Sequence, residues 1–320
     1  MNGKTLLRNL IGSTSLILLL TGCGGGTQDP KTLYNKGIAL LDTDQAQAVE
    51  VLTTAAESGH AGAMMELSTC YTYGTGVDRD EELGFSWIKR AADAGSSKAK
   101  AYISIFYLQG IGTTPSPDTA IQLLDSEVEA GNIDAMTIMA GLLEIGVGVD
   151  KDPARAFQLH LQLAAQGNID SMYYVARSYA KGKNGIKKNE KLGVDWYQKA
   201  STAGSVAATG KLGACYMMGK GVNQDMVAGI SLIRKAVKEG DPDSMHNLGV
   251  CYERGLGVQQ DMVKAVEYYR MGAEAGCAEA MYNLSICLSS GNGVKRNPEE
   301  AAVWKAKASE NETPLRGRES

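Results

Sequence analysis

Histidine is scarce in this sequence, and its spacing excludes the most common histidine-based sites. The chain of 320 residues has three histidines, and His60, His160 and His246 form no H-x-x-x-H or H-x-x-H pair of the kind that holds zinc. Its glycine-rich segments follow no strand-like segment, whereas nucleotide-binding loops of the Walker and Rossmann types do. Nothing marks a Ser-His-Asp triad or a pair of catalytic carboxylates. We therefore expect no catalytic activity, no metal ion and no cofactor.

Proline, phenylalanine and tryptophan are also few, at seven, three and three residues, whereas glycine is abundant at 38. The shortage of proline favours helices, because proline breaks a helix interior. Glycine is too frequent for a plain helical bundle, and it recurs at fixed spacing, which excludes a disordered chain. The composition thus predicts a helical protein built from repeated segments.

The net charge of −4 gives no indication of a nucleic-acid partner. Charge is nevertheless uneven: residues 24–170 carry 9 basic and 20 acidic side chains, and residues 171–320 carry 21 basic and 16 acidic ones. This asymmetry predicts an acidic first half and a mildly basic second half. Alternatively, the imbalance is a chance difference in composition between two solvated surfaces without functional meaning. Both interpretations, a polarised solenoid and a chance difference, remain open.

Residues 1–22 have the features of a secretory signal peptide. Lys4 and Arg8 form a basic start without any acidic residue, and Leu10–Leu20 is an apolar run too short to span a bilayer stably. Small residues then precede Cys23. We expect this segment to be removed.

The end of that segment, Leu20-Thr21-Gly22-Cys23, resembles the lipobox of bacterial lipoproteins. The resemblance implies that Cys23 receives the lipid and becomes the mature N-terminus, with residues 23–30 as a glycine-rich tether. Gly24, in place of an aspartate, resembles the outer-membrane address of enterobacterial lipoproteins. The alternative is an ordinary signal with an incidental cysteine.

Two glycine series alternate along the rest of the chain with one period. The first closes each unit at spacings of 36, 36, 36, 37, 36 and 36 residues, at Gly59, Gly95, Gly131, Gly167, Gly204, Gly240 and Gly276. The second lies between them in G-x-G segments such as Gly74-Thr75-Gly76. Glycine ends a helix well because it adopts the left-handed conformation. The spacing therefore predicts a repeated unit of two helices, A and B.

Each predicted helix has a recurring pattern of its own. Helix A carries apolar or small residues at i, i+4 and i+8, as in Ala63, Leu67 and Tyr71. We expect helix B to start at an aspartate or asparagine N-cap, namely Asp80, Asp118, Asp152, Asn189, Asp225, Asp261 and Asn297. No single hairpin can bury its apolar face, so neighbouring hairpins must stack.

The pattern resembles the Sel-1-like repeat, a relative of the tetratricopeptide repeat, and Ser244–Gly276 matches it almost position for position. The resemblance implies an all-α fold, a right-handed α-solenoid of stacked antiparallel helix pairs, over residues 31–310. A polar tail, 311–320, follows. The predicted units span 31–59, 60–95, 96–131, 132–167, 168–204, 205–240, 241–276 and 277–310.

Four cysteines, Cys70, Cys215, Cys251 and Cys287, occupy one position of helix A. Equivalent positions of packed helices lie about 10 Å apart, beyond the reach of a disulfide at about 7 Å. We therefore expect buried free thiols that act as small apolar groups. A disulfide between Cys251 and Cys277 is the alternative.

In solenoids of this kind helix A lines the concave surface, and the resemblance implies a partner site there. The fourth, seventh and eleventh positions of helix A, counted from residues such as Ala63, should face the partner. The candidate residues are Tyr73, Tyr102, Tyr174, Arg177, Lys181, Lys211, Met218, Asn247, Arg254 and Asn283. Among them, Arg177, Lys181, Lys211 and Arg254 are expected to form a cationic centre that attracts a carboxylate-rich partner.

The resemblance implies a monomeric, lipid-anchored scaffold or adaptor that binds a protein partner in the bacterial cell envelope, at the outer membrane facing the periplasm. The lipid is the only expected membrane contact. An alternative, also from the resemblance, is an immunity protein that neutralises a periplasm-delivered type VI secretion toxin such as a lipase.

Overall fold

The computed structural model describes residues 29–183 and 185–316. All regular secondary structure in these residues is helical, which confirms the all-α helical repeat fold. The predicted signal peptide, the lipidation residue Cys23 and most of the tether lie outside the described residues. None of the described helices is both long enough and apolar enough to cross a membrane.

The described residues divide into two compact units, with Lys151 the last residue of unit 1 and Asp152 the first residue of unit 2. The described part of unit 1 contains α1 (Pro30–Leu40), α2 (Gln45–Glu57), α3 (Ala61–Tyr73), α4 (Glu81–Asp93), α5 (Ser97–Gln109), α6 (Pro117–Glu129) and α7 (Ile133–Ile145). The described part of unit 2 contains α8 (Pro153–Ala165), α9 (Ile169–Lys181), α10 (Glu190–Thr202), α11 (Val206–Met218), α12 (Met226–Lys238), α13 (Pro242–Arg254), α14 (Met262–Glu274), α15 (Ala278–Ser290) and α16 (Pro298–Arg316).

Consecutive helices pack as hairpins within each unit, α3 with α4 in unit 1 and α11 with α12 in unit 2 being examples. Helix A of one hairpin also touches helix A of the next, as α11 touches α13. Helix A ends at the first glycine of the G-x-G segment: Gly74 has φ of 71° and donates its backbone N–H to Cys70 O. The predicted role of these glycines as left-handed caps is thereby confirmed.

The predicted N-caps of helix B are confirmed with one exception. Asp225, for example, accepts a hydrogen bond from the backbone N–H of Ala228 at 2.9 Å. The prediction of Asp118 as an N-cap is wrong. Helix α6 begins one residue earlier, at Pro117, and Ser116 occupies the N-cap position. Proline suits the first position of a helix because its φ is already helical and its missing N–H would be unpaired there. Pro117 therefore moves the helix start, and Asp118 lies in the first turn.

The second glycine of the G-x-G segment allows neighbouring hairpins to pack closely, because it has no side chain. A β-carbon at Gly112 would overlap the backbone carbonyl of Glu81, the first residue of helix B in the preceding hairpin. In unit 2 the same relationship links Gly221 to Glu190. This glycine thus lets one hairpin's loop lie directly on the previous helix B.

The core of each unit consists mainly of alanine and leucine, which allow close helix packing. In unit 2 the largest fully buried side chain is Tyr269, which packs in a cluster with Leu284 and Leu288. The Tyr269 hydroxyl donates to Glu253 Oε2 at 2.6 Å, so this buried polar group is satisfied.

The five cysteines in the described residues are free thiols. Cys251 and Cys277, the alternative disulfide pair, are both among them, and the Cys251 Sγ lies 3.8 Å from Met217 Sδ. Burial is nearly complete for Cys70, Cys251 and Cys287 and partial for Cys215. The prediction of buried thiols that act as small apolar groups therefore holds best for the first three.

Candidate functional site

The ten candidate residues on helix A differ widely in exposure. Tyr73, Arg177, Lys181, Met218 and Arg254 are exposed, whereas Tyr174, Lys211, Asn247 and Asn283 are half-buried. The side chain of Tyr102 is only 8% exposed, which is a correction to the expected surface position. The fourth position of helix A faces the neighbouring helix A closely enough to bury a ring there.

Two contacts in unit 2 show how the fourth position joins neighbouring A helices. Lys211 Nζ on α11 lies 2.6 Å from Asp243 Oδ2 on α13. Asn283 on α15 hydrogen-bonds to His246 on α13 over 3.0 Å between Nδ2 and Nε2. Lys211 and Asn283 therefore contribute to packing between hairpins as well as to the surface.

The Lys211–Asp243 pair changes the expected cationic centre. Burial lowers the pKa of Lys211, but the hydrogen bond and the charge of Asp243 outweigh this and leave that pKa above its ordinary value. The ammonium is thus charged, and its charge is balanced by a carboxylate. Lys211 does not belong with Arg177 and Arg254 in a positive patch, which is a second correction.

The ring of Tyr174 packs against a residue of α8, the helix that precedes α9. Its ring stacks on His160 of α8 at a centroid distance of 3.9 Å, and His160 Nδ1 lies 3.0 Å from Ser171 Oγ. The stack orients the ring of Tyr174 before any partner arrives.

Tyr173, which the sequence pattern did not single out, is half-buried and packs against the core cluster of unit 2 that contains Val194, Tyr197 and Leu212. The guanidinium of Arg177 lies 5.7 Å from the centroid of its ring, and the ring of Tyr197 lies 5.9 Å away. Burial raises the pKa of Tyr173, and the charges of Lys211 and Arg177 oppose this only in part. The spacing of four residues between Tyr173 and Arg177 could have revealed this pair, because such residues share a helix face.

We define the helix A patch as Tyr173, Tyr174, Arg177 and Lys181 on α9 together with Arg254 at the end of α13, two hairpins further along unit 2. It combines aromatic rings with exposed cationic groups, a combination enriched where proteins bind other proteins.

One cluster of potential metal ligands occurs among the described residues, formed by Asp243, Cys277 and Glu279 with ligand atoms within 4.8 Å of one another. Asp243 already binds Lys211, and the Cys277 Sγ lies 3.5 Å from Glu279 Oε2. Burial raises the pKa of Cys277 to about 12, so its thiol carries a proton at neutral pH. A cation would have to displace both the ammonium and this proton.

Unit 1 contains a separate feature, a cavity of about 120 Å³ that is lined by Tyr73 and Tyr102 together with residues of α1, α3, α4 and α5. Its charged residues, Glu66 and Lys98, were not among the predicted site residues. We call it the unit 1 cavity.

Comparison with known families finds the Sel1 repeat at residues 61–96, 97–126, 133–168, 169–205, 206–241, 242–277 and 278–312. No curated protein matches the sequence.

Several solved structures are similar to this chain. The crystal structure of a protective antigen present in uropathogenic Escherichia coli strains, which displays an SLR fold, has a TM-score of 0.68 and 28% identity and covers 88% of this chain. The chain spans 62% of that protein. A Sel1 repeat protein from Oxalobacter formigenes has a TM-score of 0.64 and 20% identity, with coverage of 98% of this chain and 99% of that one.

An immunity protein from Pseudomonas aeruginosa has a TM-score of 0.44 and 20% identity, and covers 68% of this chain and 82% of its own. That similarity is too low to support any functional argument.

Proposed function

The chain belongs to the Sel1 repeat family, whose members serve as protein-interaction scaffolds, and on this premise we propose that it is an envelope scaffold whose helix A patch binds a carboxylate-rich segment of a partner protein. The family is generally non-enzymatic, in keeping with the expectation that this chain recognises rather than transforms its partner.

The observation that carries this proposal is the placement of Arg177 over Tyr173. Arg177 is exposed, whereas Tyr173 is half-buried and fixed against Tyr197, so the guanidinium lies on a rigid aromatic platform. A guanidinium held in this way can bind a carboxylate through two parallel hydrogen bonds. Arg254 offers a second exposed guanidinium in the same unit.

A pull-down from envelope extract tests the proposal. The bait is the purified full chain, compared with the variant Arg177→Glu/Arg254→Glu. The control is Lys235→Glu, which reverses the charge of an exposed residue on helix B of the same unit. We expect the partner to be lost with the double variant and retained with the control. Equal recovery from all three baits would refute the assignment to the helix A patch.

We also propose that Cys23 carries the lipid and that the chain is anchored at the outer membrane facing the periplasm. The support is the sequence Leu20-Thr21-Gly22-Cys23 followed by Gly24. Fractionation of cells that produce the wild type or Cys23→Ser tests this: the wild type should be recovered with outer membranes and the variant in soluble periplasm. Recovery of both in the same fraction would contradict the anchor.

The immunity role remains a prediction from sequence resemblance alone. It requires that deletion of the gene make the cells sensitive to a toxin of their own. An envelope defect in cells that lack any such toxin would favour the scaffold.

A further inference from the structure

A groove runs along helix B in unit 2, between α12 and the loop that joins α13 to α14. It consists of two adjoining cavities of about 490 Å³ and about 350 Å³, which share Arg234 and Gly257 as lining residues. One wall comes from residues 227–238 of α12, and the other from the loop 257–261 with Lys264 of α14. We call this feature the helix B groove. It shares no lining residue with the helix A patch.

The groove opens where one loop rests less closely on the helix before it. An added β-carbon at Gly221 would overlap the backbone of Glu190, the first residue of α10. At Gly257, the equivalent glycine of the next hairpin, it would lie 3.7 Å from the carbonyl oxygen of Met226, the first residue of α12, which is an ordinary contact distance. The loop therefore leaves space along α12 that close stacking would fill.

Positive charge collects in the helix B groove without carboxylates to balance it. Arg234, Lys235 and Lys238 of α12 are exposed, and their side chains make no hydrogen bond or ion pair within the described residues. The carboxylate among the lining residues, that of Asp261, accepts the backbone N–H of Lys264 at 3.0 Å and lies 3.3 Å from Lys264 Nζ. Because that carboxylate is already engaged, the three cations of α12 are available to an external anion.

The repeat itself does not require this collection of charge. One hairpin later, Arg270 occupies the position of Arg234, and its guanidinium lies 2.6 Å from Glu300 Oε1 of the following helix B. The residue that corresponds to Glu300 beside the groove is Lys264. A lysine thus stands where a carboxylate neutralises the equivalent arginine. Like charges repel one another, so a bound anion would stabilise this arrangement.

The other end of the α12 wall is apolar. Val227 is 83% exposed and lies on the same helix face as Arg234 and Lys238, seven and eleven residues further along. At 1.5 Å per residue, Val227 and Lys238 are about 16 Å apart along the helix axis. An extended chain advances about 3.3 Å per residue, so about five residues span this wall. The groove therefore suits an extended occupant with an apolar group at one end and anionic groups at the other.

The walls favour a peptide over other anions. Ser231 on α12 and Gln259 on the loop are exposed, and each side chain can both donate and accept a hydrogen bond, as a peptide backbone requires. A polyphosphate or a nucleic-acid backbone would leave Val227 uncovered. A flat lipid surface does not enter a groove with two walls.

We propose that the helix B groove binds an extended acidic segment of a second partner protein, with an apolar side chain against Val227 and carboxylates at Arg234, Lys235 and Lys238. Arg234 can hold a carboxylate through two parallel hydrogen bonds, and each lysine adds a charge-assisted one. This inference goes beyond the proposed scaffold function, because it adds a binding surface on helix B. A scaffold that joins two proteins needs two such surfaces.

Synthetic peptides test the groove without knowledge of the partner. The purified full chain is titrated by calorimetry with a five-residue peptide that has leucine at one end and glutamates at the other, made in both chain directions. We expect saturable binding of at least one of the two. Binding should weaken at least about tenfold when glutamine replaces the glutamates, since charge-assisted hydrogen bonds are lost. Absence of saturable binding, or equal binding of the glutamine peptide, would overturn the site.

Variants of the chain test where the peptide binds. Arg234→Gln/Lys238→Gln should weaken binding at least about tenfold. The matched control, Lys191→Gln/Lys199→Gln, removes two exposed lysines from α10 and should bind as the wild type does. Lys264→Glu keeps every cation of α12 but adds a carboxylate to the facing wall, so it should also weaken binding. Wild-type affinity in either groove variant, or the same loss in the control, would refute the assignment to the groove.

Other anions are tested as competing occupants. Glycerol phosphate reproduces the headgroup of an anionic lipid, and tripolyphosphate reproduces a phosphate chain. Both should bind more weakly than the glutamate peptide, because neither covers Val227. Equal or tighter binding of either compound would overturn the assignment to a peptide.

The groove and the helix A patch can be judged separately. Arg177→Glu alters the patch and should leave peptide binding unchanged; loss of binding in this variant would place the peptide on the patch and overturn the groove. Lys235→Glu, the control in the pull-down, alters the groove and not the patch. It should weaken peptide binding while still recovering the partner of the patch, so that either proposal can fail alone.

Discussion

Gly112 lies directly against the backbone carbonyl of Glu81, so the loop that ends one helix A rests on the start of helix B in the preceding hairpin. The contact leaves no room for a β-carbon. It explains why the second glycine of the G-x-G segment recurs: it is needed for stacking between hairpins as well as for the turn inside one of them.

Gly112→Ala should therefore destabilise unit 1 more than Gly95→Ala. Both glycines have positive φ, 61° and 89°, so both substitutions strain the backbone, but Gly95 has no atom within 4 Å of an added β-carbon. We expect Gly112→Ala to cost about 1–3 kcal/mol beyond the control, as overpacking does. Urea denaturation followed by circular dichroism measures the difference, and equal midpoints would contradict the stacking role.

The buried thiols should make the fold sensitive to alkaline pH. Burial raises the pKa of Cys251 to about 11, while an exposed thiol has a pKa of about 8.5. Above pH 9 the unfolded chain loses this proton and the folded chain keeps it, so the stabilisation is complete below pH 8.5 and declines as the pH rises towards 11. The loss should reach about 2–3 kcal/mol for this thiol.

Unfolding free energies between pH 8 and 11 test this slope. Buried tyrosines such as Tyr197, whose pKa burial also raises, contribute with the same sign, so single variants are required. Cys251→Ala should flatten the slope more than Cys215→Ala, because Cys215 is only half-buried. A slope that is the same in the wild type and Cys251→Ala would contradict the prediction.

Tyr269→Phe should destabilise unit 2 by about 1 kcal/mol, the usual effect of losing one intramolecular hydrogen bond. Its hydroxyl donates to Glu253 Oε2 at 2.6 Å from a fully buried ring. Tyr282→Phe is the control, since that ring is 50% exposed. Thermal unfolding should show a lower midpoint for Tyr269→Phe alone. A lower midpoint for both variants would mean that loss of a tyrosine hydroxyl destabilises the fold regardless of the hydrogen bond to Glu253.

Asp225→Ala should cost about 1 kcal/mol, because Asp225 caps α12 through the backbone N–H of Ala228. Ser116→Ala should cost less, since Ser116 precedes α6 without a side-chain hydrogen bond to its backbone and contacts Thr119 Oγ1 instead. Chemical denaturation compares the two. Equal losses would mean that the capping hydrogen bond contributes little here.

The sequence predicted correctly those features, such as helix ends and N-caps, that depend on one residue type within a single hairpin. Glycine at the end of helix A and aspartate before helix B act within one hairpin, so their spacing predicted the helix pairs. The N-cap prediction at Asp118 was wrong because Pro117, one residue earlier, already occupies the first position of the helix.

The candidate site was less predictable, because its properties depend on neighbouring hairpins. The sequence gives no sign that Lys211 meets Asp243 on the next helix A, or that Tyr102 is buried. The unit 1 cavity could not be predicted from the sequence for the same reason. Glu66 and Lys98 are 32 residues apart in the chain, and helix packing brings both to the lining of the cavity.

The sequence alone determined the repeat, its period, the helix pairs and the family, because a 36-residue period fixes which residues end helices and which pack inside. The tertiary structure decided which helix A side chains are available to a partner. Exposure at the fourth position is set by the distance and the side chains of the next helix A. No single repeat contains that information.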